Sequence, residues 1–178
     1  MSSNAPTGDR ILGSLRSADG KGVVRMEDRY DTDINDVWSA LTDPARLARW
    51  IGEVEGDLRL GGEFRTHFFA SGSQSTGHVE VCDPPTRLLL RTKHIDKPWA
   101  LAIEARLTAD GDQTVLVVEE RGMPFDLLHG YGAGIQIHFE HLADHLAGRE
   151  PRDIDDSTIE ARWNELLPTY QELAANVS

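Results

Sequence analysis

Three histidines in one stretch, His138, His141 and His145, come nearest in type and spacing to a metal site. At ~100° per residue they fall within a roughly 60° arc of a helix, along one edge. Neutral imidazoles grouped in this way could hold zinc. Two ligands less than a turn apart and a third one turn on converge on a single ion only with strain. There is no HExxH pattern and no obvious carboxylate partner. The three therefore read as a polar rim beside an apolar helix face, and neither a metal nor any other cofactor is expected. Glu119 and Glu120 are adjacent, so on a strand they point to opposite faces and cannot act as a paired acid and base. Glu120 shares parity with Leu116 and Val118 and should turn inward, most simply as a satisfied carboxylate at a strand end. Gly130, Gly132 and Gly134 are spaced GxGxG rather than GxGxxG, with no βαβ unit around them, so close backbone packing explains them better than phosphate binding. Cys82 is the lone cysteine, which excludes an intramolecular disulfide, and its place after Val-Glu-Val suits a small buried thiol. No GxSxG elbow is present. No catalytic residue is assigned.

The chain carrying these groups has 178 residues, of which 39% are hydrophobic and 27% charged. That suits one domain with a core that needs no disulfide or metal to hold it. Eighteen basic residues stand against 30 acidic ones, a net charge of −12 at pH 7. Nucleic-acid binding needs a basic surface, whereas here there is no Lys/Arg run and lysine occurs only as Lys21, Lys93 and Lys97. An acidic membrane surface would repel such a chain as well. The charge serves solubility, and neither nucleic acid nor membrane is expected as a partner. The N-terminus lacks an apolar signal-like run, and no stretch approaches the ~20 apolar residues that span a bilayer, so the cytoplasm is the expected location.

The elements that must position the candidate groups follow from periodicity. Residues 1–9 are polar and expected to be flexible. Ile11 to Arg16 and Val23 to Tyr30 flank Asp19-Gly20, a hairpin signal. Ile34, Val37, Trp38 and Leu41 recur at helical spacing after Asp33, a ready N-cap. Asp43-Pro44 restarts a second short helix with Leu47 and Trp50 on its apolar edge. From Leu58 the period becomes two. Alternating runs follow around Phe64–Phe68, Val79–Val81, Leu88–His94, Leu101–Leu107 and Thr114–Glu120, and the whole chain is expected to make about six sheet strands, joined mostly by short turns as antiparallel neighbours require. A helix is expected over 125–147 with Gly148 as its stop, its apolar stripe running through Tyr131, Ile135, Phe139, Leu142 and Leu146. After a polar linker, Ile159, Trp163, Leu166, Leu167, Tyr170 and Leu173 outline a last amphipathic helix, with Pro168 expected to kink it. The domain is thus expected over 10–148. Residues 149–178 form a linker and a helix that packs on the domain or on a partner subunit.

This order describes an α+β helix-grip fold. A curved antiparallel sheet wraps around a long C-terminal helix, two short helices follow the first core strand, and a further helix is added at the C-terminus. Val37-Trp38-Ser39-Ala40-Leu41-Thr42-Asp43-Pro44 and Leu47-Ala48-Arg49-Trp50 resemble the opening motif of the SRPBCC (START-like) superfamily. Asp57-Leu58-Arg59-Leu60-Gly61-Gly62-Glu63-Phe64 resembles, within it, the bacterial homologues of the heat-shock-protein-90 ATPase activator. Gly77 to Pro85, Arg87-Leu88, Thr114-Val115-Leu116 and His141 to Gly148 fit that family in order, so the resemblance spans about residues 23–148. These motifs are caps, glycine turns and core aromatics, so they carry architecture across and no catalytic residue. Ile135 falls where many relatives have Trp, which should alter any cavity.

Strand parity turns Phe64, Thr66, Phe68, Val79, Val81, Leu90, Thr92, His94, Leu101, Ile103, Leu116, Val118 and Glu120 to one side of the sheet. Tyr131, Ile135, Phe139 and Leu142 should face them from the long helix, with His138 on its edge. A curved sheet does not close fully on one helix, so a pocket between the two is expected. Its occupant would be a small apolar, ring-containing molecule with one or two polar handles to meet the buried polar groups. The resemblance also implies an alternative, a protein-interaction or co-chaperone-like module with a protein partner or a homodimer. An aromatase-cyclase or hydrolase, as in some superfamily members, has no residue signature here.

Overall fold

The structure is a computed structural model that describes residues 10–149 and 156–177. The expected flexible N-terminus, residues 1–9, and most of the expected linker lie outside the described residues. The strands are β1 (Gly13–Ala18), β2 (Lys21–Tyr30), β3 (Gly52–Gly56), β4 (Glu63–Phe68), β5 (Gln74–Asp83), β6 (Arg87–His94), β7 (Leu101–Asp110) and β8 (Gln113–Met123). The helices are α1 (Ile34–Thr42), α2 (Pro44–Leu47), α3 (Leu128–Leu146), preceded by a 3-10 turn at Phe125–Leu127, and α4 (Asp156–Ala175). All eight strands form one antiparallel curved sheet in the order β1-β2-β8-β7-β6-β5-β4-β3, the helix-grip arrangement.

Local chemistry explains most of these elements. Asp19 and Gly20 both adopt positive φ, 53° and 75°, which joins β1 to β2 by the tight turn that matches strand twist. The Asp33 carboxylate accepts from the Asp36 N–H at 3.0 Å and starts α1. Asp43 serves two helices: its N–H closes α1 on the Ser39 carbonyl, and its carboxylate caps α2 through Ala45 N–H at 3.0 Å. Strand β3 is one that the sequence expectation lacked. Its Gly-Glu-Val-Glu-Gly offers Val54 as the single apolar side chain, so no alternation is visible. Gly52 is required there, since a Cβ would lie 2.2 Å from the His67 carbonyl oxygen.

Helix α3 presents two faces. One, through Tyr131, Ile135 and Leu142, lies over the sheet. The other, Gly132, Gln136 and Glu140 at intervals of four, meets α4. Tyr170 of α4 is fully buried, with its ring where a Cβ on Gly132 would be, 2.5 Å from Cδ1. The Tyr170 hydroxyl accepts from Gly13 N–H at 3.1 Å and donates to Gln136 Oε1 at 2.5 Å. Gln136 also accepts from Leu12 N–H at 3.1 Å and donates to the Arg10 carbonyl at 2.7 Å. Arg162 forks onto Glu140 through bonds of 2.8 and 2.7 Å, the strong bidentate geometry. So α4 covers the domain's own α3 and β1, and it continues as one helix through Pro168. No helix among the described residues is long and apolar enough to cross a membrane.

Candidate functional site

The inner face of the sheet can be followed row by row through the register. Glu120 lies beside Ile103, then Leu90, then Val79. Leu101, Thr92, Gly77 and Phe64 make a second row, and His94, Ser75, Thr66 and Val54 a third. Helix α3 does not press onto these rows along its whole length. Between them lies a cavity of about 530 Å³. Phe64, Thr66, Phe68, Val79, Leu90, Thr92, His94, Leu101, Ile103, Leu116, Val118 and Glu120 line it from the sheet. Tyr131, Ile135, His138, Phe139 and Leu142 line it from α3. The space persists partly because α3 places Gly134 there, where an added Cβ would meet nothing within 4 Å.

Val81 is the exception. The register shifts between Val79 and Val81, so Glu80 is an extra residue and the parity of β5 reverses beyond it. Val81 leaves the cavity wall, and Cys82 turns toward the core instead. Several residues that sequence reasoning missed also line the space, among them Val54, Leu88, Trp99 and Trp163. Leu88 shares its parity with Leu90 and was legible. Trp99 sits in the connection from β6 to β7, where no period applies, and Trp163 arrives from α4.

The polar groups of the wall decide its character. Glu120 stands among apolar neighbours, and no described residue hydrogen-bonds to its carboxyl, contrary to the satisfied carboxylate expected from sequence. Burial alone pushes its pKa up to about 7. Its neighbour Glu119 faces outward, ion-paired to Arg16 and Arg121 at 3.1 Å each. The His138 imidazole is pushed down to about 4, first by burial and then by His141. His94 is lowered too, chiefly by burial. The Nδ1 atoms of His94 and His138 are buried without a hydrogen-bond partner among the described residues. Both imidazoles flank Phe68, each 5.8 Å from its ring centroid. Tyr131 accepts from Trp99 Nε1 at 3.0 Å, so its own hydroxyl proton remains available.

The other chemical candidates separate. His145 accepts from Arg46 Nε at 3.1 Å, away from His138. No group of three His, Cys, Asp or Glu side chains among the described residues could hold a metal ion. The three glycines also divide: Gly132 admits the Tyr170 ring, while Gly130 and Gly134 border the cavity.

A family model described as activator of Hsp90 ATPase homolog 1-like protein matches residues 31–167. No curated protein matches the chain. Among solved structures, it is similar to CalU16 from Micromonospora echinospora. The crystal structure of CalU16 is 27% identical with a TM-score of 0.74, covering 92% of this chain and 96% of that one. Its solution structure gives 26% identity and a TM-score of 0.77, covering 96% and 98%. DynU16, a protein of the dynemicin biosynthetic locus, is 26% identical with a TM-score of 0.68 over 75% of this chain; the match spans 49% of DynU16.

Proposed function

The chain belongs to the activator of Hsp90 ATPase homolog 1-like family, and from that premise we propose that it binds a small, apolar, ring-containing molecule between its sheet and α3. One observation carries this reading. A space of about 530 Å³ has mostly apolar walls, yet Glu120, His94 and His138 line it with polar atoms that no described residue satisfies. A volume of this order suits a drug-sized molecule. Buried polar groups without partners are costly, and a ligand's hydroxyl, carbonyl or amine would supply the partners. An origin in a biosynthetic locus, which DynU16 has, agrees with a protein that holds a small organic compound. Among the described residues no hydrogen bond pairs a hydroxyl of the wall with a base, and binding without turnover is the function the wall supports best.

The test combines native mass spectrometry of the protein as purified with a fluorescence titration using anthrylmethanol, a neutral aromatic probe. Retained mass or saturable binding of the probe is the expected result. Ile135→Trp should fill part of the space and weaken the probe's binding severalfold while the fold persists. Neither retained mass nor saturable binding, or an unchanged affinity in Ile135→Trp, would overturn the proposal and leave an interaction through the outer surface as the alternative.

A further inference from the structure

The two polar regions of the cavity are not equivalent. Glu120 on β8 and His94 on β6 lie two strands and two register rows apart, about 16 Å by ideal strand geometry. The histidines are held neutral and can offer or accept a hydrogen bond. Glu120 brings a charge. Its strand neighbours on the same face are Val24 of β2 and Ile103 of β7, and Tyr131 faces it from α3. None of these is a cation. Lys97 also lines the cavity, but its ammonium lies 5.9 Å over the Trp99 ring and 3.8 Å from Asp96, and it does not offset the burial of Glu120. A carboxyl in an apolar wall to which no described residue gives a hydrogen bond or a positive charge contributes nothing to packing that a leucine would not do better.

We propose that this cavity selects ligands that carry a protonated amine, with Glu120 as the counter-charge. The inference rests on the ligand-binding reading above and names the chemistry of the ligand's polar end. An ammonium group supplies both the missing hydrogen bonds and the missing positive charge. Against a mostly apolar wall that pairing is stronger than at an open surface. The net charge of −12 biases the surrounding potential toward cations as well. Because burial raises the carboxyl to about 7, a slightly alkaline solution ionises it while an alkylamine keeps its proton.

The experiment compares anthrylmethylamine with its neutral counterpart anthrylmethanol, titrated at about pH 8 into the full chain and into Glu120→Gln and Glu120→Leu. In the wild type the amine should bind about tenfold or more tightly than the alcohol, as expected for a charge-assisted pair. In both variants that ratio should collapse toward one. An amine-to-alcohol ratio near one in the wild type, with the alcohol binding well, overturns the amine inference and leaves the cavity reading intact. A ratio that survives both substitutions overturns the assignment to Glu120. If neither probe binds, both the inference and the reading beneath it fail. Thermal unfolding of each variant confirms that a lost ratio does not come from a lost fold.

Discussion

Replacing Glu120 with Gln should make the ligand-free protein more stable at neutral and alkaline pH. The side chain keeps its shape and loses its charge. Burial raises the carboxyl from its ordinary 4.5 to about 7, so the folded state holds this proton more tightly than the unfolded chain does. The sign follows by linkage. Below the unfolded value the group is protonated in both states and costs the fold little. As pH rises from about 4.5 to about 7 the unfolded chain releases its proton first, and folding stability falls. Above that window the penalty is constant. At about 1.36 kcal/mol per pH unit the full penalty is about 3 kcal/mol. This is a ceiling, because the carboxyl keeps some surface toward the cavity. For a chain of this size that corresponds to a rise in the melting midpoint of up to roughly 10 °C. Urea unfolding followed by tryptophan fluorescence, at about pH 4 and about pH 8, measures the difference. His138, whose pKa burial lowers to about 4, titrates in both chains and cancels in the comparison. Equal stability of wild type and Glu120→Gln at both pH values, or a variant less stable at the higher one, would refute the claim that the carboxyl is buried and unpartnered.

Two further outcomes test how α4 is attached. Tyr170→Phe removes the hydroxyl that receives the half-buried Gly13 N–H at 3.1 Å and that donates to the buried Gln136, so it should cost about 1–3 kcal/mol in urea unfolding. Gln171→Ala, one residue away and exposed, should change stability by less than ~0.5 kcal/mol; equal effects from both would show that the Tyr170 hydrogen bonds contribute nothing. Deleting residues 149–178 strips Tyr170 and Leu166 from the core and uncovers Gln136 and Glu140, so the truncated chain should unfold at a clearly lower temperature or lose solubility. An unchanged melting midpoint and solubility would mean that the covering of α3 by α4 is incidental.

Local sequence was enough wherever a feature depends on neighbouring residues. Asp33 and Asp43 announce helix starts because a cap is made within a few residues. Asp19-Gly20 announces a hairpin because the turn's positive φ angles suit those residues. Alternation through Leu88–His94 and Leu101–Leu107 assigns cavity and solvent faces because pleating is local. Spacing by three and four separates Tyr131, Ile135 and Leu142 from the opposite side of α3. What stayed hidden depends on partners distant in the chain. The bulge that expels Val81 arises where β5 pairs with β6, and no residue type marks it. Strand β3 exists because β4 is there to pair with it. Gly132 reads as a weak helix former until the Tyr170 ring takes the place of its side chain. His145 looks like a companion of His138 until Arg46, 99 positions away, donates to it. Glu120 is the sharpest case: its inward direction follows from parity, but that no described residue hydrogen-bonds to it there depends on which side chains the sheet, α3 and the β6–β7 connection bring alongside. Parity is a property of one strand, whereas the lack of a partner is a property of the whole enclosure.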